Sequence, residues 1–233
     1  MIRRMLLLMF LVCTSLSLYA QSAEDLEKIH KAHDVWGINR YSEAWNLLDE
    51  IDSELSPYWQ ARVLHLRGLI RQEEGNKKEA VGYFEQMEDF IEDSAGFSST
   101  ADGMALHALA ITRQMYLKNV FYILDHLKRA FRLTEKALEM DPDNFTALVV
   151  LAHLKAKTPK LFGGDIDLAL ELLDKAMELE VNENAEKFSL YMTMIVTHSR
   201  NKTMSTAELY LEKALEIYPG SSMALRVSRE EME

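Results

Sequence analysis

The chain has 233 residues, 26 basic and 37 acidic, for a net charge of −11. A chain this acidic repels phosphate backbones and anionic bilayers, which sets nucleic acid and charged membrane surfaces aside as partners. Its single cysteine, Cys13, excludes an internal disulfide.

In chain order, the first 20 residues read as a secretory leader: Arg3 and Arg4, an apolar run from Met5 to Cys13, then small residues with cleavage expected after Ala20. The apolar run is too short for a good membrane span. The later stretch Ala147 to Leu154 is a core helix by length, so no integral span is expected in the mature chain. Removing Arg3 and Arg4 leaves 24 basic residues against 37 acidic ones, a net charge of −13. The mature chain, 21–233, is expected to form one domain without thiol chemistry, suited to an oxidising compartment. A periplasmic or secreted location is expected. Lipid anchoring at Cys13 is less favoured, because Val12 rather than a small residue precedes it.

Beyond the leader, apolar residues recur three and four apart, with no sustained alternation, so the chain reads as all-α. "NRYSEAWNLLDEID" carries Ala44, Leu48 and Ile51, followed by Pro57; "GNKKEAVGYFEQM" carries Gly75, Ala80, Phe84 and Met87. Glu92 to Gly103 reads as a loop, with a helix from about Met104 to Leu117 and a long one from about Val120 to Met140. The long one holds Ala130, Thr134 and Ala137 ahead of Pro142. The next helix stops at "TPKLFGGD", Thr158 to Asp165. There Pro159 ends the helix, Gly163 and Gly164 supply backbone angles other residues avoid, and Asp165 caps the helix that follows. Then come Ala169, Leu173, Ala176 and Val181, and after "SRNKTMST", a similar but shorter extension, Ala207, Leu211, Ala214 and Pro219. "SSMALRVSREEM" reads as a polar-faced end helix, which stacked repeats need.

The spacing four, three, five recurs in the last three groups, whose first alanines lie 39 and 38 residues apart. Positions four and three apart share one helical face. Alanine at two of them lets a neighbouring helix approach closely, and the larger residue between fills the gap.

The pattern resembles the tetratricopeptide repeat (TPR) family, whose units pair a large-x2-large-small helix A with a helix B carrying Ala-x3-aromatic and a closing proline. Leu64 and Gly68, and Leu148, Leu151 and Ala152, match helix A, while Ala32 takes the small position of the first unit. The resemblance implies an α-α superhelix, a solenoid of about five helical hairpins plus an end helix at 221–232. The hairpins would span about 24–57, 58–92, 104–142, 143–181 and 184–219. A repeat of about 34 residues counted from Phe145 would place the helix B alanine at 164; it falls at Ala169, so "TPKLFGGD" is a lengthened turn. The proline-to-"GGD" turn is also similar to that of exported bacterial TPR proteins, including the TatT type associated with TRAP transporters.

By family geometry, His33, Trp36, Arg62, His65, Leu69, Gln72, Thr146, Val149 and His153 would lie on the inner side, where TPR proteins bind peptides or partner helices. The competing reading packs these residues against the neighbouring repeat. Leu161 and Phe162, with Gly163, Gly164 and Asp165, form either a contact loop or a segment folded back onto the core, the second being favoured. The spacing of His30 and His33 could chelate a metal, but the charge around them fits a solvated face better. No nucleophile with its base and no poised carboxylate pair is visible, and no cofactor motif, so the chain reads as a scaffold for a protein or peptide partner rather than an enzyme. The alternative is an accessory part of a solute transporter that binds a solute-binding protein or a small ligand.

Overall fold

The computed structural model describes residues 23–51 and 54–232. The expected leader and Cys13 lie outside the described residues. The chain is an all-α helical solenoid. Helix α1 is described over 23–37. It is followed by α2 (Tyr41–Asp49), α3 (Pro57–Glu73), α4 (Lys77–Asp93), α5 (Ala101–Leu117), α6 (Val120–Met140), α7 (Phe145–Lys157), α8 (Ile166–Glu178), α9 (Asn184–Arg200), α10 (Met204–Ile217) and α11 (Ser222–Met232). There is no strand among the described residues.

The spaced alanines explain how the helices pair. Ala44, Ala80, Ala130, Ala137, Ala169, Ala176, Ala207 and Ala214 are all fully buried on the even-numbered helices. Opposite them the odd helices carry small residues too. A Cβ on Gly68 would lie 2.5 Å from the fully buried ring of Phe84, so this α3–α4 contact admits no larger residue. Thr134 stands where other helices carry an apolar side chain, and its hydroxyl donates to the carbonyls of Phe131 (2.8 Å) and Ala130 (3.1 Å). A buried hydroxyl is thereby satisfied inside its own helix.

Three connections differ from the sequence-based expectation. The loop before α5 is shorter than 92–103. α4 runs on to Asp93, and Thr100 caps α5 by accepting from the Gly103 amide at 3.0 Å. Gly103 is required at that point because a Cβ would strike the Phe97 carbonyl oxygen. The "SRNKTMST" segment is not a lengthened turn. Its first residues continue α9, which has 17 residues against 13 in α7, and a short link with Lys202 at φ 60° reverses the chain. In "TPKLFGGD" only Gly163 has a left-handed angle, φ 100°. Gly164 is needed for space, since its Cβ would lie 1.7 Å from the Thr158 carbonyl oxygen.

The curvature brings the two ends of the array together. Tyr218, at the end of α10, donates its hydroxyl to Asp34 of α1 at 3.1 Å. The same carboxylate oxygen accepts from Asn184 of α9 at 3.2 Å. Asn39 donates to the Gly220 carbonyl at 2.8 Å and accepts from the Ser222 amide at 2.9 Å. Trp36 and Phe188 meet edge to face at 6.2 Å, so one core cluster holds side chains from both ends of the chain.

Candidate functional site

A cavity of about 410 Å³ lies at the centre of the molecule. Every residue on its wall comes from an odd-numbered helix. The cause is periodic. Arg62, His65, Leu69 and Gln72 on α3 are three and four apart, as are Leu109, Thr112 and Tyr116 on α5 and Thr146, Val149, His153 and Lys157 on α7. Each group marks the one stripe of its helix that faces away from the even layer.

All nine residues that the repeat register places on the inner side, His33, Trp36, Arg62, His65, Leu69, Gln72, Thr146, Val149 and His153, line this one cavity. Three also pack in the core: Trp36 and Leu69 belong to the cluster that joins the chain ends, and Val149 to the cluster between α7, α8 and α9. The solvated-face reading of His33 fails, since the imidazole is 5% exposed. His30 points elsewhere, edge-on to Trp59 at 5.3 Å and 3.7 Å from Glu183.

The polar part of the wall is unusual in its hydrogen bonding. His33, Trp36, Arg62 and His65 are each 5–6% exposed. Yet both ring nitrogens of His33, Nε1 of Trp36, Nε of Arg62 and Nδ1 of His65 have no hydrogen-bond partner. Orphaned buried polar atoms are rare and destabilise by about 1–3 kcal/mol each. Arg113 donates from Nε to Nε2 of His65 at 3.1 Å, which puts the His65 proton on Nδ1. Its guanidinium has no carboxylate within ion-pair distance among the described residues. Enclosure by protein brings its pKa down to about 10. Burial holds His33 and His65 well below the ordinary imidazole range, and neighbouring arginines push the same way. His153, hydrogen-bonded to the Tyr116 hydroxyl, falls to about 3 for the same reasons. Burial thus favours the neutral form of all three rings, and the positive charge on this wall belongs to the arginines and Lys157.

Helix α11 closes the wall where α3, α7 and α9 finish. Glu73, the last residue of α3, accepts from Arg226 at 2.5 Å and from the Ser222 hydroxyl at 3.1 Å. Glu231 is paired with Lys157, the last residue of α7, and with Arg200, the last of α9, at 2.9 Å. Burial pushes the Glu231 carboxyl up, but the bonds from Lys157 and Arg200 outweigh it and hold it below the usual range. Met223 and Val227 turn inward. The end helix is thus a wall of the cavity rather than a polar cap, which the reading of its sequence missed.

No family model matches the sequence, and no curated protein matches it either. Among solved structures, the chain is similar to YrrB, a TPR protein with an unusual peptide-binding site, at 18% identity and a TM-score of 0.40, covering 87% of this chain and 90% of that one.

Two further features lie outside the cavity. Glu88, Glu92 and His107 bring three possible metal ligands together, but Arg129 fills their centre. It bonds Glu88 at 2.9 Å, lies 3.0 Å from the His107 ring and pairs with Glu92. A guanidinium already neutralises those carboxylates. In the lengthened turn, Asp165 caps α8 by accepting from the Leu168 amide at 3.1 Å. Leu161 is 88% and Phe162 54% exposed, so the pair does not fold back onto the core as expected. A three-residue 3-10 turn, Lys160–Phe162, holds both side chains outward. Among the described residues no helix is long and apolar enough to cross a membrane.

Proposed function

We propose that the protein is a non-catalytic binding protein that takes a small molecule into the cavity enclosed by its odd-numbered helices. The observation that carries this reading is the set of orphaned, deeply buried polar atoms on a cavity wall that is otherwise largely apolar. About 410 Å³ suits a small organic molecule. Helices α1, α9 and α11 complete the wall opposite α3, α5 and α7, so the cavity is lined from all round the array. A thermal-shift screen of small organic acids and apolar compounds tests the reading, with Thr146→Trp as the blocked control. We expect stabilisation of the natural chain by at least one class and none of the variant. No response from any class overturns it.

A protein partner belongs to the same proposal, on a different surface. Leu161 and Phe162 stand out on a 3-10 turn, the arrangement of a contact loop. Together with an exported location, this fits an accessory of a solute transporter that holds a ligand inside and meets a solute-binding protein outside, as the TatT-type resemblance implies. Pull-down with Leu161→Ser/Phe162→Ser against the natural chain tests it. A partner retained equally by both contradicts the assignment of the loop.

A further inference from the structure

The orphaned atoms around the cavity are unequal in kind. Nε1 of Trp36 and Nε of Arg62 can only donate. Nδ1 of His65 must carry its proton, because Nε2 accepts from Arg113. Neutral His33 adds one donor and one acceptor, and Oε1 of Gln72 adds one acceptor. Donors are in excess, and they line the same cavity as the Arg113 guanidinium, which has no ion-pair partner among the described residues. Arg62 is only weakly neutralised, with Glu183 at 3.6 Å. The other cations on the wall are already paired: Lys157 with Glu231 and Arg226 with Glu73. Glu186 on the same wall makes no ion pair with either guanidinium, and burial pushes its carboxyl up. A surplus of buried donors and a half-buried cation with no ion-pair partner have one common remedy, an acceptor-rich anion. Apolar side chains at Leu69, Leu109, Val149, Met192 and Val227 share the wall with neutral hydroxyls at Thr112, Thr146, Ser189 and Thr193, and the wall's remaining cations, Lys157 and Arg226, already hold carboxylates.

We propose that the ligand is an amphipathic monocarboxylate, its carboxylate held by Arg113 and the donors of Trp36, Arg62 and His65, its hydrocarbon body lying along the apolar side chains. This rests on the small-molecule reading above and names the ligand class. Arg113 supplies charge and a planar pair of donors that match a carboxylate. The neutral imidazoles supply direction without adding charge, so a second anionic group would have no partner.

Isothermal titration calorimetry with octanoate and 1-octanol, which share a hydrocarbon body, separates head from tail. The natural chain binds octanoate at least about tenfold more tightly than octanol, the value of one charge-assisted bidentate contact. Arg113→Gln erases that difference and leaves octanol unchanged. Trp36→Phe, which deletes one N–H and keeps an aromatic ring, weakens octanoate several-fold and serves if Arg113→Gln does not fold by circular dichroism. Octanol binding as tightly as octanoate, or octanoate binding undiminished in both variants, overturns the carboxylate assignment while the cavity remains a binding site. Binding of neither ligand overturns both.

Discussion

The Tyr218 hydroxyl donates to Asp34 at 3.1 Å across a separation of 184 residues, and the Tyr218 ring lies where a Cβ on Gly37 would fall, 2.4 Å away. This contact joins the last hairpin to the first and turns a curved array into an enclosure. Tyr218→Phe removes only the hydrogen bond and is expected to destabilise by about 1 kcal/mol. Gly37→Ala forces the ring out of its seat and is expected to lose about 1–3 kcal/mol. Urea unfolding measures both, and Gly37→Ala should be the more damaging.

The link from α11 to the inner helices depends on Glu231, which serves Lys157 and Arg200 together. Glu231→Gln leaves two cations facing a neutral amide. Hydrogen exchange should then quicken over Ser222–Met232 and change little over α3 and α5. Unchanged exchange would mean that Met223, Val227 and the Arg226–Glu73 pair hold the helix unaided.

Acid should weaken the fold through its histidines. Burial lowers His33, His65 and His153, and nearby cations add to it: Arg62 and His30 at His33, Arg113 and Arg62 at His65, and Arg113, Lys157 and Arg200 at His153. The unfolded chain, with imidazoles near pH 6.5, takes up protons first as the pH falls. Stability is therefore fully present above about pH 6.5 and is lost below it, by up to about 1.4 kcal/mol per pH unit for each ring. Urea midpoints should be level above neutrality and fall steadily towards pH 5, with a shallower fall in His33→Gln.

The lengthened turn separates a structural residue from an exposed one. Gly164→Ala places a methyl against the Thr158 carbonyl and should destabilise by about 1–3 kcal/mol. Leu161→Ser changes a side chain that is 88% exposed and should leave the unfolding midpoint within about 0.5 kcal/mol.

The inner stripe of the odd helices is legible in the sequence because it follows from helical period and from the alanines that fix which face turns outward. Once Ala80 and Ala169 are placed against a neighbour, Arg62, His65, Val149 and His153 have one side left to face. Arg113 and Tyr116 were not legible because α5 lies in the irregular stretch between Ala80 and Ala130, 50 residues apart, where the register of the other units is lost, although Leu109, Thr112 and Tyr116 repeat the same three- and four-residue step. Closure has no local signal at all. Tyr218 and Asp34 meet only because small rotations accumulate over successive helix pairs, and α11 becomes a wall only once the ends have met. The outward setting of Leu161 and Phe162 depends on the 3-10 turn and on the close approach at Gly164, which a glycine pair in a sequence does not distinguish from a flexible loop.

The most direct test of the central claim, that the enclosed cavity is a binding site, is a crystal structure of the protein equilibrated with octanoate. The account requires density for the ligand inside the ring of odd helices, its head against Arg113 and its tail towards Met192. Inner helices collapsed onto one another, or ligand found only on the outer surface, would contradict it.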